Sequence, residues 1–460
     1  MEYVHSSRAR PPLPPGPFLV VGLARSGVAA AKALKARGES VFGVDSGSPD
    51  GLGDLDLAGI GYSTGSTGVE ALDRVATLIK SPGVPVDAEV VAEARRRGIS
   101  VIGELELGWR LIDAAFVGIT GTNGKTTTTE LVAHILRTAG RPVHAVGNIG
   151  SPLSALAESP PGVDETVVCE CSSFQLEDID QFAPECALYL NLAPDHLDRH
   201  GSMAEYDRIK QRIFMNQIPG DVAVLNQADP VMAGLDPPGE AAVLRFFPAG
   251  EPDAEVSIRV QDDRITVDGR PLLPLSDLKL IGDHNVANAM AAAAAALSLG
   301  LATEVVAEGL RSFTGVAHRL EPVAEIGGVR FINDSKATNV EATVTALSSF
   351  DSGVRLILGG SRKGESFDPL VPAVDRACEA VYLIGEAATG IREALEPLGR
   401  AGLKVADCGD LDTAVAEALA DSRSGETVLL SPSCASFDQF RDFEDRGRVF
   451  RRIVEEIDAG

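Results

Sequence analysis

Positive charge is scarce in this chain: 41 lysines and arginines stand against 66 aspartates and glutamates, a formal charge of −25 over 460 residues. That balance repels phosphate backbones and anionic lipid, which excludes nucleic acid and membrane surfaces as partners. Cysteine is also scarce, six residues without framework spacing, so a disulfide scaffold is excluded and a reducing cytoplasm is expected. Cys169 and Cys171 flank Glu170 on one predicted strand and read as core packing rather than metal ligands. No apolar run is long enough to span a bilayer; the most apolar, alanine-rich stretch covers only 289–301. The first seventeen residues lack the apolar core of a signal peptide and read as a disordered, proline-stiffened tail.

What is present is α/β alternation, and 460 residues are too many for one core. Three domains are expected: a Rossmann-like domain over 18–105, a central P-loop ATPase-like sheet over 106–316 and a second Rossmann-like domain over 317–460. In the first, a strand over 18–21 runs into a glycine turn (Gly22 to Gly27) and a helix, and a second strand ends in Asp45. Ala24 stands where a dinucleotide fingerprint needs its second glycine, so some other nucleotide is the better ligand. A β-rich insertion is predicted near 241–273. Further strands over 329–332, 355–358, 381–384 and 428–430 alternate with helical stretches in the third domain.

Phosphate chemistry is concentrated in Gly121-Thr122-Asn123-Gly124-Lys125-Thr126-Thr127, between a predicted strand and a helix. Backbone N–H groups and the Lys125 ammonium would hold β- and γ-phosphates, and the Thr126 hydroxyl would ligate Mg²⁺. Glu170, at the C-terminal end of a strand, would complete that ion's shell. His196 follows another strand and is a candidate ligand for a second ion. A capping box, Ser202 to Glu205, opens a helix on whose apolar stripe (Tyr206, Ile209, Ile213, Phe214) lies Lys210. A buried lysine loses its proton more readily and, as a free amine, reacts with CO₂ to give a carbamate, an oxygen ligand for Mg²⁺. The plain alternative is a snorkelling lysine.

The ordered set GTNGKT, SSFQLE behind Glu170, DHLDRH, Lys210, DHNVAN, HRLE, NDSKATN, LGGSRKG and SPSCASFDQF resembles the cytoplasmic amide ligases of peptidoglycan synthesis, along nearly the whole chain. The resemblance implies an ATP-dependent ligase that joins D-glutamate to UDP-N-acetylmuramoyl-L-alanine through an acyl phosphate. It implies two Mg²⁺ ions, held by Thr126 and Glu170 and by His196 and carbamylated Lys210, and a protein acting as a monomer. It further implies adenine contacts from Asn285 and Asn288, with Arg319 and Asp334 near the ribose and phosphates. Lys336, Thr338, Lys363, Ser436 and Phe443 would surround glutamate and the transferred phosphate. Arg25, Ser26, Asp45 and Ser46 would hold the uridine nucleotide, and Gly83 and Asn148 the muramoyl side. Two departures stand out: Ser46-Gly47 where the family often has a threonine-arginine pair, and Arg441 where lysine is common. Within the family the alternatives are ligases that add L-alanine, a diamino acid, a dipeptide or L-glutamate, and folate polyglutamate ligases. Outside it stand a nucleotide-switch module and a nicotinamide enzyme, the latter disfavoured by Ala24.

Overall fold

The computed structural model describes residues 8–248, 256–280, 282–362, 366–400 and 402–459. Three sheets carry the architecture. Phe18–Val21 and Thr77–Lys80 are buried at every position, the pattern of parallel strands covered on both faces. They lie at the middle of a five-stranded parallel sheet ordered Gly61–Thr64, Val41–Asp45, Phe18–Val21, Thr77–Lys80, Ser100–Gly103. The chain reverses its direction of travel across the sheet between the two central strands, which opens a crevice at their C-terminal ends.

The second sheet has nine strands, ordered Arg270–Pro274, Arg264–Val267, Ile258–Gln261, Ala242–Phe247, Val222–Asn226, Cys186–Tyr189, Ala115–Thr120, Thr166–Glu170, Val143–Gly147. The β-rich stretch expected near 241–273 does form strands among its described residues, and they extend this sheet. Ala242–Phe247 pairs in parallel with Val222–Asn226, and the last three strands are antiparallel to one another. The extension satisfies an edge that would otherwise expose unpaired backbone groups. Asp283–Ser298 is the alanine-rich helix; Ala289 to Ala296 are fully buried, as a helix apolar on all sides must be.

Two compact units result. Met1–Leu278 with Val286–Phe313 holds both of these sheets, and Lys279–Asn285 with Thr314–Gly460 holds the third. That third sheet runs Glu321–Ile326, Val329–Asn333, Thr427–Leu430, Val354–Gly359, Cys378–Ile384, Lys404–Gly409, antiparallel only at the first pair. Among the described residues no helix is long and apolar enough to cross a membrane.

The expectation of a disordered tail over 1–17 fails from Arg8 onward. Arg8 pairs with Asp221 at 2.7 Å, and Thr77 Oγ1 donates to the Pro15 carbonyl at 2.8 Å. Arg10 is almost fully buried: it pairs with Glu185 at 3.0 Å, donates to the Ile112 and Ala114 carbonyls and stacks over the Trp109 and Phe116 rings at 4.7 and 5.3 Å. Two arginines reaching buried carboxylates overcome the low apolar content that made the segment look unstructured. Arg10→Ala should therefore destabilise the first unit by about 3 kcal/mol, since it strips a partner from a buried carboxylate. Arg10→Lys should recover only part of this, having lost the planar fork. Urea unfolding of the two variants measures both.

Candidate active site

The strand Ala115–Thr120 delivers the glycine loop, and the helix Lys125–Thr138 leaves from it. Gly124 has φ +81°, and a Cβ there would stand 2.3 Å from Asn288 Oδ1, so this position requires glycine twice over. Asn191 holds the loop tip from the next strand: its Oδ1 accepts from Asn123 N at 2.9 Å and its Nδ2 donates to Asn123 O at 3.1 Å. Lys125 Nζ donates to the carbonyls of Gly121 and Thr122 at 2.9 and 2.7 Å. Lys210 Nζ reaches the same Gly121 carbonyl at 2.7 Å, so two ammonium groups converge on one oxygen.

Lys210 does lie on the buried stripe. It is 1% exposed, with its Nζ 4.5 Å from the centre of the Tyr206 ring. Burial, then the neighbouring Lys125 charge, push its pKa well below the ordinary lysine range. A snorkelling head group is excluded by that burial. Of the expected capping box only half forms: Ser202 Oγ accepts from Glu205 N. The full reciprocal box belongs to Ser172 and Gln175 in SSFQLE.

Thr126 Oγ1 donates to Glu170 Oε2 at 2.8 Å, and Asn148 Nδ2 donates to Oε1 at 2.8 Å. A buried carboxylate held by two neutral donors, beside a hydroxyl and a phosphate-binding loop, is a hard-oxygen set suited to Mg²⁺. Among the described residues no three His, Cys, Asp or Glu side chains group closely enough to hold a metal by themselves. The set therefore fits an ion that completes its shell with phosphate oxygens and water. His196 has φ +51° and is half exposed, its ring packed 4.8 Å from that of Phe174.

Arg25, Ser26, Asp45, Ser46 and Gly83 all line one cavity of about 520 Å³ at the crevice of the first sheet. A Cβ on Gly27 would stand 1.8 Å from the Gly22 carbonyl, so the glycine turn is set by close helix–strand approach. Asp45 is engaged by the backbone, accepting from Leu23 N at 2.6 Å and Gly47 N at 2.7 Å. Arg25 bonds the Gly150 carbonyl. Asn148 is absent from that lining, its amide being turned to Glu170.

Asn285 and Asn288 lie one turn apart on the helix Asp283–Ser298; Asn288 Oδ1 accepts from Thr128 at 3.4 Å, and Asn285 falls in the second unit. In that unit Asp334 is buried. Its carboxylate accepts from Ser431 at 2.7 Å and Leu320 N at 3.1 Å, yet burial raises its pKa to about 7, against the smaller opposing effect of these bonds and of Arg319 and Arg446. Lys336 Nζ lies 5.6 Å from the Phe443 ring centre, Thr338 N donates to the Lys336 carbonyl at 2.9 Å, and Ser436 is buried. Lys363 lies outside the described residues.

Arg446 was missed in the sequence. Fully buried, it donates to Ser335 Oγ and O, to Cys434 O and, at 3.4 Å, to Gly359 O and Ala435 O, gathering NDSKATN, LGGSRKG and SPSCASFDQF. Burial lowers its pKa to about 10. The available signal was its spacing from the buried Phe450 and Ile453 on the last helix, the same stripe logic that singled out Lys210. Asn333 was missed too; it is buried and donates to Glu321 and to the Gly447 carbonyl.

A family model of the Mur ligase MurD-like N-terminal domain matches residues 17–103, one of the Mur ligase middle domain residues 119–296, and one of the Mur ligase glutamate ligase domain residues 318–434. The chain belongs to the Mur ligase family of ATP-dependent amide ligases. It is 43% identical over 448 residues to the UDP-N-acetylmuramoylalanine–D-glutamate ligase of Pelotomaculum thermopropionicum, covering 96% of this chain and 98% of that one. It is 40% identical over 439 residues to the protein of the same name from Bacillus subtilis, covering 94% and 96%. The crystal structure of the UDP-N-acetylmuramate-alanine ligase MurC from Thermotoga maritima shares the fold, with a TM-score of 0.60 at 19% identity over 96% of this chain and all of that one.

Asp334 gives the site a pH signature. Because its folded-state pKa stands above the ordinary 3.8, the folded second unit binds more protons than the unfolded chain between pH 3.8 and about 7. Through this group stability falls as pH rises across that window. Asp334→Asn, isosteric with the neutral acid, removes the contribution. The stability of the parent relative to this variant, measured by urea unfolding, should decline from pH 4 to pH 7 and then level off.

Proposed function

We propose that this chain adds D-glutamate to UDP-N-acetylmuramoyl-L-alanine, with hydrolysis of ATP to ADP and phosphate. The observation that carries the reading is the identity of about two residues in five, end to end, with relatives named for that reaction. The cavity lined by Arg25, Ser26, Asp45, Ser46 and Gly83 supports a UDP-sugar site at the crevice of the first sheet.

In the proposed reaction the substrate carboxylate attacks the γ-phosphate, giving an acyl phosphate and ADP. The amine of glutamate then attacks the acyl carbon, loses a proton, and phosphate leaves as the amide forms. Two Mg²⁺ ions, when bound, would neutralise the negative charge that develops on the transferring phosphoryl group. Thr126 and Glu170 would hold one, His196 and Lys210 the other. Lys125, at the N-terminus of its helix, adds charge stabilisation in the transition state. Asn288 would face the adenine together with Asn285, and Arg319 and Asp334 the ribose and phosphates. Thr338, Lys363, Ser436 and Phe443 would seat glutamate, with Lys336 beside it near the transferred phosphate.

Lys210 takes the carbamate role in this reading. Its depressed pKa favours the free amine that reacts with CO₂, and the carbamate would exchange a cation for oxygen ligands beside the loop. Lys210→Arg keeps length and charge but forms no such carbamate, so it should fold normally and lose roughly a hundredfold in activity, the scale of losses at metal-site groups. A fully active arginine variant, or a parent without CO₂-derived mass on this lysine, removes the carbamate.

Lys125→Ala should lower turnover by about 10³-fold, having lost a charge used chiefly in the transition state. Phosphate release with UDP-N-acetylmuramoyl-L-alanine and a panel of amino acids tests the substrate assignment. D-glutamate should be strongly preferred; preference for L-glutamate or another amino acid overturns the acceptor.

A further inference from the structure

Outside the residues assigned above lies a buried ionic cluster. Lys80 ends the central strand Thr77–Lys80, and its side chain is fully buried. Its Nζ lies 2.9 Å from Asp178 Oδ2 and 3.9 Å from Glu177 Oε2, and it donates to the Val84 carbonyl at 2.8 Å. The same carbonyl accepts from Arg199 Nη2 at 3.1 Å. Arg199, the arginine of DHLDRH, also forks onto Glu177 at 2.6 and 3.3 Å. Glu177 closes SSFQLE and Asp178 follows it, so one acidic pair serves a lysine of the first sheet and an arginine of the His196 segment.

Val84 closes the wall of residues 81–85 that lines the 520 Å³ cavity. On its inner side this wall is fixed to the first strand, with Ser81 N donating to Val21 O at 3.0 Å and Ser81 Oγ to Gly22 O at 2.6 Å. On its outer side it is fixed by Lys80 and Arg199. The Arg199 guanidinium lies 4.7 Å from the Phe174 ring centre, and Phe174 packs on His196 at 4.8 Å. A continuous path therefore runs from the cavity wall through Arg199 and Phe174 to His196. Its members are packed or hydrogen-bonded at every step, and energetic coupling along it is what the variants below measure.

We infer that Lys80 and Arg199 are positioning residues for the UDP-sugar substrate: by sharing the Val84 carbonyl they tie the wall of the UDP-sugar cavity to the segment that carries His196. This rests on the functional reading above. Neither residue meets the reacting atoms; each acts by holding the wall where a nucleotide-linked carboxylate must lie.

Calorimetry with UDP-N-acetylmuramoyl-L-alanine, in the absence of ATP and Mg²⁺, tests the inference on the full chain. Lys80→Met keeps the bulk and removes the donor, and should weaken binding about tenfold, the value of one hydrogen bond to a charged group. Its KM for ATP should stay within about twofold of the parent's, since the nucleotide loop is untouched. Arg199→Met should act in the same direction. The double variant should lose less than the product of the two single losses, because both donors serve one carbonyl. Lys80→Arg, which keeps a donor, should restore most of the affinity. A folded Lys80→Met protein with a lowered melting temperature but parental affinity would show a purely structural cluster and overturn the inference; should that variant not fold, parental affinity in Arg199→Met does the same. A parent that does not bind this substrate overturns the functional reading and the coupling with it, whereas a parent that binds beside a variant that binds equally well overturns the coupling alone.

Discussion

Two lysine nitrogens donate to the carbonyl of Gly121, and the neighbouring parts of the first unit are arranged around that convergence. Like charges repel more strongly in a desolvated site than in water, and the proximity of Lys125 helps depress the pKa of Lys210. The carbonyl holds both cations only because the loop points it inward, and the loop keeps that shape through Gly124, which leaves room for Asn288. Thr126, the next residue on the helix, reaches Glu170, and Glu170 in turn draws Asn148 from another loop. In a chain with a net charge of −25, basic side chains are thereby concentrated at the phosphate loop, where an anionic nucleotide needs them.

Elsewhere the same device recurs: a buried cation capturing backbone carbonyls of a loop. Arg446 does so for Ser335, Gly359, Cys434 and Ala435, and Lys80 and Arg199 do so for Val84. Site loops of this kind carry little apolar side-chain surface, so they gain little from the hydrophobic effect. Hydrogen bonds to a charged donor, stronger than neutral ones, supply the rigidity instead. Such a loop is fixed through its backbone while its outer face stays available to ligand.

Much of this was legible in the sequence because it is local. The strand–glycine loop–helix around Lys125 and the strand ends at Asp45 and Glu170 follow from periodicity and turn chemistry. Lys210 was legible as a charge out of place on an apolar stripe. What escaped notice depends on partners far apart in the chain. Arg8 and Arg10 find Asp221 and Glu185 across 213 and 175 residues, and no pattern within the first seventeen residues announces those partners. The short strands near 241–273 were legible, but that they join the central sheet beside Val222–Asn226 rests on a pairing the sequence does not announce. Arg446 carried the same signal as Lys210 but sits among several arginines on its helix, and charge density hid it.

The cations also divide by partner, and the division follows their roles. Burial is the largest influence on Lys210 and on Arg446, and the pKa of each is driven down; their bonds run to carbonyls and a hydroxyl. A carbonyl fixes the position of the group without cancelling a charge as a carboxylate does, and for Lys210 it leaves burial free to favour the neutral amine. Burial lowers the pKa of Lys80 too, but Lys80 and Arg199 differ in their partners. Each holds a carboxylate as well as a carbonyl, so their charge is spent within the protein and little of it reaches a ligand. A neutralised pair suits a joint between two segments, since it fixes geometry without adding to the field at the reacting centre. Where alignment of two segments is the task, as at Val84, the protein uses cations that also hold a carboxylate; where loops are gathered around a centre, as at Arg446, the cation bonds carbonyls and a hydroxyl.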